Sequence, residues 1–144
     1  IISKSRYYRQ YSFYKRVGRM RNNIRIKILV CGGRDYSETV LEEVLDQYLE
    51  RFGALEIISG MAKGADIKAY NWAKANGVIC HEFPADWDRY GRKAGPLRNQ
   101  QMIDEGHPDL VLAFPTKKST GTYDMIRRAE KHKIKTITYI EEGE

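Results

Sequence analysis

From residue 26 onward, short apolar runs rich in β-branched side chains alternate with longer stretches in which apolar residues recur every three or four positions. The short runs predict buried strands, and the longer stretches predict amphipathic helices. Strands that alternate with helices form parallel sheets joined by right-handed crossovers. The sequence therefore predicts a three-layer α/β/α fold, with a doubly wound parallel sheet of five strands in the order 3-2-1-4-5. We predict strands at residues 26–31, 55–59, 78–83, 110–114 and 135–140, and helices at residues 38–52, 67–76, 97–105 and 121–133.

The charged residues divide this chain of 144 residues into two parts. Residues 1–23 hold seven of the 25 Lys and Arg residues, no Asp or Glu, and five aromatic side chains, whereas the other 18 basic residues accompany 19 acidic ones. The sequence predicts a basic aromatic extension at residues 1–23, appended or poorly ordered, and a single domain at residues 24–144. Met20 lies just before the patterned region, so residues 1–19 are interpreted as an upstream extension. Basic and aromatic side chains together can bind phosphate backbones and bases, which leaves a nucleic-acid role for the extension as an alternative.

Composition argues against several classes of protein. No apolar run approaches the roughly 20 residues that span a bilayer, and no secretory signal lies near the N-terminus, so we expect a cytoplasmic protein without a membrane partner. Cys31 and Cys80 are too few for a disulfide framework and are expected to be reduced thiols on buried strands. His81, His107 and His132 have no partner at metal-ligand spacing, so no metal site is predicted and no cofactor is assigned.

Three loops rich in glycine, hydroxyl and charged residues follow the first, second and fourth predicted strands, at residues 32–36, 59–66 and 119–122. In a doubly wound sheet, these loops lie at the carboxyl edge, where ligands bind beside the point at which strand order reverses. Glycines allow close backbone approach, and free amides at a helix N-terminus attract anions. The second loop lacks the Gly-Lys-Ser/Thr ending of a P-loop, and the first lacks the spacing of a dinucleotide fingerprint. The loops therefore predict a phosphate or sugar site without ordinary ATPase chemistry.

Several motifs occur together and in order between residues 26 and 140. They are Val30-Cys31-Gly32-Gly33-Arg34-Asp35-Tyr36, Gly60-Met61-Ala62-Lys63-Gly64-Ala65-Asp66, Pro84-Ala85-Asp86-Trp87, Gly91 with Ala94-Gly95-Pro96-Leu97-Arg98-Asn99, and Ala113-Phe114-Pro115 with Gly121-Thr122. This set resembles the YspA/cpYpsA-related branch of the SLOG superfamily. The resemblance implies a Rossmann-like domain that binds nucleotides or nucleotide-derived ligands. Relatives include LOG-type phosphoribohydrolases, which cleave the N-glycosidic bond of nucleoside monophosphates, and DNA-binding DprA-type proteins.

The match to the catalytic relatives has two departures. Asn99 stands in the place of the lysine in their Arg-Lys-x-x-Met segment. Met125 stands in the place of the catalytic glutamate in their Gly-Gly-x-Gly-Thr-x-x-Glu motif, whose leading glycines are also missing. The carboxylate of Asp124, one residue earlier, would point about 100° around the helix from that position. These departures favour ligand binding over hydrolysis.

The sequence leaves three functions open. The first is binding or sensing of a nucleotide or nucleotide-derived ligand through phosphate-binding loops, with a homo-oligomer left open. The second is N-glycosidic hydrolysis, with Arg98 and Asp124 as catalytic residues or with another acid of the loops supplying the carboxylate. The third is a nucleic-acid-associated module that uses residues 1–23. The candidate ligand-binding residues are Gly32, Gly33, Arg34, Asp35, Gly60, Lys63, Gly64, Asp66, Asp86, Trp87, Arg98, Asn99, Ser119, Thr120, Gly121 and Thr122.

Overall fold

The structure, a computed structural model, describes residues 25–140. Strands and helices alternate along this part of the chain, as the sequence predicts. A short 3-10 turn, Gly91–Lys93, joins the third and fourth helices. The strands are β1 Ile26–Gly32, β2 Leu55–Ser59, β3 Ile79–Glu82, β4 Leu110–Phe114 and β5 Lys135–Thr138, and the helices are α1 Val40–Phe52, α2 Ala65–Ala75, α3 Trp87–Tyr90, α4 Ala94–Gly106 and α5 Thr120–Lys131.

The five strands form one parallel sheet in the order β3-β2-β1-β4-β5. This confirms the predicted order 3-2-1-4-5. β1 lies at the centre, where Ile28 pairs with Ile57 of β2 on one side and with Leu110 of β4 on the other. The chain winds from β1 to one edge and then returns to β4, so the strand order reverses between β1 and β4. A crevice is expected at the carboxyl ends of these two strands.

Alternate side chains of the sheet supply two separate hydrophobic clusters. On one face, Ile28 packs with α1 and α2 in a cluster that includes Leu45 and Trp72. On the other face, Leu29 packs with α4 and α5 in a cluster that includes Met102. Every residue of β4 is buried, because helices cover this strand on both sides. The molecule therefore has the predicted three layers, with two long helices on each face.

Several element ends differ from the predictions. The N-cap of α1 is Thr39, not Ser37, so this helix begins later than expected. α4 begins at Ala94 instead of residue 97, which places Pro96 at its third position. Proline is accepted there because the amides of the first helical turn have no partner within the helix. The stretch at residues 84–95, predicted as a loop, contains the short helix α3.

The remaining predictions concern the basic extension, membrane-spanning helices and the two cysteines. The predicted extension at residues 1–23, with Met20, lies outside the described residues. Within residues 25–140, no helix has both the length and the apolar composition needed to cross a membrane. Both cysteines are free, and Cys31 is buried as predicted, but Cys80 lies on the edge strand β3 and is only half-buried. Burial raises the pKa of both thiols, that of Cys80 to about 11, so neither is a thiolate at neutral pH.

Candidate functional site

A cavity of about 460 Å³ lies where the strand order reverses, at the carboxyl ends of β1 and β4. Its wall consists of the loop after β1, the opening of α2 with the loop before it, α3 with the 3-10 turn that follows, α4 as far as Met102, and the opening turns of α5 with the loop before them. Pockets that hold small organic ligands typically measure roughly 300–1,000 Å³. The cavity therefore has the position and the size expected of a ligand site in this fold.

Twelve of the seventeen residues predicted from the sequence line this cavity. They come from segments far apart in sequence, and the parallel sheet brings these segments to one edge. Both candidate catalytic residues are among them. The twelve are Gly32, Gly33, Arg34, Asp66, Trp87, Arg98, Asn99, Ser119, Thr120, Gly121, Thr122 and Asp124.

The other five predicted residues, Asp35, Gly60, Lys63, Gly64 and Asp86, lie outside the cavity wall. Asp35 Oδ1 accepts a hydrogen bond from Thr116 Oγ1 (2.5 Å), which lowers the pKa of Asp35. Asp86 is the N-cap of α3 and accepts a hydrogen bond from the amide of Arg89 (3.2 Å). The Lys63 side chain is exposed. The side chains of Asp35 and Asp86 therefore form hydrogen bonds with the loops at this edge and do not line the cavity.

The two remaining glycines of this group explain how the loops approach each other. A Cβ on Gly64 would lie 2.6 Å from the carbonyl oxygen of Arg34, and one on Gly60 would lie 2.5 Å from Arg98 Nη1. The amide of Ala65, at the start of α2, donates a hydrogen bond to the Gly33 carbonyl (3.2 Å). The loop after β1 thus occupies one of the amides at the start of α2, which was one of the three loop regions considered as anion sites.

The loop before α5 is fixed to the loop after β1. The amide of Thr116 donates a hydrogen bond to Ser119 Oγ (2.6 Å), and the Thr116 hydroxyl bonds Asp35 as described. Ser119 is the N-cap of α5. The first amides of a helix have no partner within the helix, and those of α5 open beside the cavity. Of the two helix N-termini at this edge, the one at α5 is therefore the better placed to hold an anion.

Arg98 has a fixed orientation in the cavity wall. Its Nη1 donates hydrogen bonds to the carbonyl oxygens of Gly60 and Phe83, and its Nε donates to Asn99 Oδ1 (3.1 Å). Burial lowers the pKa of Arg98 and Asp66 acts in the opposite direction, but a guanidinium remains charged at neutral pH. Its Nη2 donates no hydrogen bond to residues 25–140. Arg98 therefore presents a positioned donor to the cavity.

Asp66 is a buried carboxylate beside Arg98. The residue is 6% exposed, and its Oδ2 accepts a hydrogen bond from the amide of Ala62 (3.2 Å). Burial raises the pKa of Asp66 to about 6, although Arg98 and Arg34 act to lower it. A carboxyl group that titrates near neutral pH in a cavity is a candidate functional group.

Asn99 links the two candidate catalytic residues. It is buried, and besides its bond to Arg98 its Nδ2 donates hydrogen bonds to the Gly121 carbonyl (3.1 Å) and to Asp124 Oδ2 (3.0 Å). Arg128 Nε also donates to Asp124 Oδ2 (2.8 Å). Burial acts to raise the pKa of Asp124, but the hydrogen bonds from Arg128 and Asn99 outweigh it and lower the pKa. An asparagine in the place of lysine thus holds an ionised carboxylate on α5.

Trp87 and Arg34 meet at the rim of the cavity. The Arg34 guanidinium carbon lies 5.2 Å from the centre of the indole ring, at cation-π distance. Trp87 is 46% exposed, and a Cβ on Gly95 would lie 3.2 Å from its ring, so the missing side chain lets the indole approach α4. An indole in this position offers a flat surface to an aromatic ligand.

Sequence reasoning missed three basic residues of the wall, Arg92, Lys118 and Arg127. All three are exposed, and none of them matches a motif residue of the family. Arg127 carried a usable signal, because it lies seven residues after Thr120 and hence on the same face of α5. Lys118 directly precedes the predicted loop at residues 119–122, so a loop that began one residue earlier would have included it.

The cavity is electropositive. Five basic side chains line it against two acidic ones, and the N-terminus of α5 adds a positive partial charge. Such a concave surface attracts anions. Within the part of the chain that the structure describes, no group of three or more His, Cys, Asp or Glu residues is arranged to hold a metal ion.

The fold and the site define a Rossmann-like α/β protein with an electropositive cavity at the reversal of its strand order. A family model described as the YspA, cpYpsA-related SLOG family matches residues 26–90. Gene 61 protein of Mycobacterium phage D29 is 34% identical over 120 residues, an alignment that covers 78% of this chain and 95% of that protein. The chain belongs to the YspA, cpYpsA-related SLOG family, which confirms the resemblance inferred from its motifs.

A solved structure of DNA processing protein A (DprA) from Streptococcus pneumoniae has a similar fold, with a TM-score of 0.65 and 21% sequence identity. The alignment covers 83% of this chain but 52% of the DprA chain, so the chain spans about half the length of that protein. This likeness supports the Rossmann-like assignment of the fold.

Proposed function

We propose that the protein binds a phosphate-bearing nucleotide or a ligand derived from one in this cavity. The observation that carries the proposal is the meeting of five basic side chains with the opening turn of α5 in one cavity. Helix N-termini and guanidinium groups are both well suited to bind phosphate. The indole of Trp87 at the rim would supply a stacking surface for a base.

We place the phosphate at the opening turn of α5, with Arg98 in the wall beside it. Two backbone amides beside the loop after β1 support this choice. Each already donates a hydrogen bond to a carbonyl group, so neither is free to bind a phosphate. The amide of Gly33 donates to the Phe114 carbonyl (3.1 Å), and that of Ala65 donates to the Gly33 carbonyl. Arg34 would then contribute through its side chain.

Calorimetric titration with AMP, ADP-ribose and NAD, each compared with adenosine, tests the proposal. We expect the phosphate-bearing compounds to bind more tightly than adenosine, with an affinity that falls as salt rises. Replacing the exposed cations in the double variant Lys118→Ala/Arg127→Ala should weaken binding by roughly ten- to a hundredfold, because charged hydrogen-bond partners are lost. The matched control is Arg89→Ala, which removes an exposed arginine outside the wall. Equal affinity for AMP and adenosine, or no binding of any compound, would contradict the proposal.

N-glycosidic hydrolysis is a second candidate function, since the carboxylates of Asp66 and Asp124 line the same cavity as Arg98. Release of free adenine from AMP by the parent protein would support it. If Asp124 takes the role of the family glutamate, Asp124→Asn should abolish release and keep AMP binding. A parent protein that binds AMP and releases no adenine would count against hydrolysis of this nucleotide.

A further inference from the structure

Asp66 is a carboxylate in the wall of a cavity that is otherwise cationic. The residue is 6% exposed, and burial raises the pKa of its carboxyl group to about 6 even though Arg98 and Arg34 lie nearby. A negative charge there opposes the binding of an anion, and its burial costs free energy unless hydrogen bonds compensate. A site that held only phosphate would bind it more tightly with a neutral residue at this position.

The hydrogen bonds of Asp66 leave one oxygen without a donor. Oδ2 accepts from the amide of Ala62 (3.2 Å), and the backbone carbonyl accepts from Ser59 Oγ (2.9 Å). Oδ1 accepts no hydrogen bond from any residue between 25 and 140. Since Asp66 lines the cavity, a donor for this oxygen can come from a bound ligand.

The surroundings of Asp66 restrict what that donor can be. The five cations of the wall repel an ammonium group, which leaves a neutral hydroxyl or N–H donor. Asp66 and Arg98 are neighbours: a Cβ on Gly60 would lie 2.9 Å from Asp66 Oδ2 and 2.5 Å from Arg98 Nη1. When the phosphate of a nucleotide lies beside Arg98, the part of the ligand next to the phosphate is the sugar.

We infer that Asp66 Oδ1 accepts a hydrogen bond from a sugar hydroxyl, so that the cavity selects phosphate esters of hydroxyl-bearing sugars such as ribose. This inference rests on the proposed nucleotide binding and adds a specificity-determining residue to it. Arg98 and α5 attract the phosphate, and Asp66 distinguishes among the compounds that carry one.

The parent protein alone provides the first test. Calorimetric titration compares AMP, 2′,3′-dideoxy-AMP, ribose 5-phosphate and inorganic phosphate. A hydrogen bond to a charged acceptor contributes roughly ten- to a hundredfold in affinity, so AMP should bind that much more tightly than 2′,3′-dideoxy-AMP. Ribose 5-phosphate should bind more tightly than inorganic phosphate.

Asp66→Asn provides the second test. The side-chain oxygen of asparagine can still accept from the Ala62 amide, while its NH2 group replaces the acceptor toward the cavity. We expect AMP affinity to fall to that of 2′,3′-dideoxy-AMP, and the affinity for the dideoxy compound and for inorganic phosphate to stay the same or rise. Asp88→Asn, which removes an exposed charge outside the wall, is the matched control and should keep the preference for AMP.

The outcomes separate this inference from the proposed function. If no phosphate ester binds, the proposed function fails and the inference fails with it. If AMP and 2′,3′-dideoxy-AMP bind the parent equally, phosphate binding stands and the role of Asp66 is refuted. If Asp66→Asn weakens AMP and 2′,3′-dideoxy-AMP equally and leaves the affinity for ribose 5-phosphate unchanged, the donor lies on the base and the sugar assignment is also refuted.

Discussion

Asp66 is 6% exposed, and burial raises the pKa of its carboxyl group from 3.8 to about 6. The folded protein therefore binds this proton more tightly than the unfolded chain does. The stabilisation is fully present below about pH 4 and is lost as the pH rises through 6. The charged groups that act on Asp66, Arg98 and Arg34, keep their charge over this range.

We expect Asp66→Asn to gain stability relative to the parent as the pH rises from 4 to 7. The gain should approach about 3 kcal/mol, because a tenfold change in proton affinity corresponds to about 1.4 kcal/mol. Urea unfolding at several pH values measures the difference in free energy of unfolding. A difference that stays constant from pH 4 to 7 would show that Asp66 titrates as in the unfolded chain.

Arg98 stabilises the fold as well as lining the cavity. Its Nη1 bonds two carbonyl oxygens, that of Gly60 after β2 and that of Phe83 after β3. We expect Arg98→Ala to lower the free energy of unfolding by about 1–3 kcal/mol, because these acceptors lose a charged donor. It should also weaken nucleotide binding by roughly ten- to a hundredfold. Thermal unfolding and calorimetric titration of the same samples measure the two effects separately. An unchanged melting temperature would show that water hydrogen-bonds the two carbonyl groups as well as the guanidinium does.

At the scale of single residues, the sequence predicts the cavity-lining residues that belong to motifs better than those that do not. Gly32 and Asn99 were placed in the site because they belong to recognisable motifs, and both line the cavity. Arg127 was missed because an arginine on an exposed helix face resembles any surface residue. Lys63 was included because the sequence identifies the loop but not the direction in which each of its side chains points. Tertiary packing decides that direction.

Among the elements, the strands were predicted more accurately than the helix ends. The predicted bounds of β2 and β4 agree with the structure, because buried apolar runs end abruptly at polar loops. The start of α4 was misplaced because a proline is compatible with several positions of a first helical turn. α3 has only four residues, too few for helical periodicity to show.

The contact between the loop after β1 and the start of α2 requires a glycine at position 64. Gly64 has φ +92°, and a Cβ there would lie 2.6 Å from the Arg34 carbonyl oxygen. Gly77 has φ +66° with nothing within 4 Å of its would-be Cβ. Gly77→Ala should therefore cost only the backbone strain, about 1–2 kcal/mol, and Gly64→Ala should cost more because the backbone must also move. Chemical denaturation of both variants measures this, and equal losses would show that the two segments can separate freely.

Across the whole molecule, which has a net charge of +6, positive charge is concentrated in two regions. Outside residues 1–23, the 18 basic residues are outnumbered by 19 acidic ones, yet five basic and two acidic side chains line the cavity. The fold thus concentrates positive charge at one edge of a nearly neutral body. The chain has a second basic region in residues 1–23, and the two regions predict different partners, a small anion for the cavity and a polyanion for the extension.

Deleting residues 1–23 tests this division. The described core at residues 25–140 contains both hydrophobic clusters, so the truncated chain should keep its melting temperature and its affinity for nucleotides. If the extension binds nucleic acid, the full chain should bind single-stranded DNA or RNA with an affinity that falls steeply as salt rises, and the deletion should abolish it. Fluorescence anisotropy at two salt concentrations measures the nucleic-acid affinity of both chains.

The Lys118→Ala/Arg127→Ala variant, which changes the cavity alone, should show the reverse pattern, with nucleotide binding weakened and nucleic-acid binding retained. Salt-dependent nucleic-acid binding that survives the deletion and is lost in this variant would transfer the polyanion site from the extension to the cavity edge.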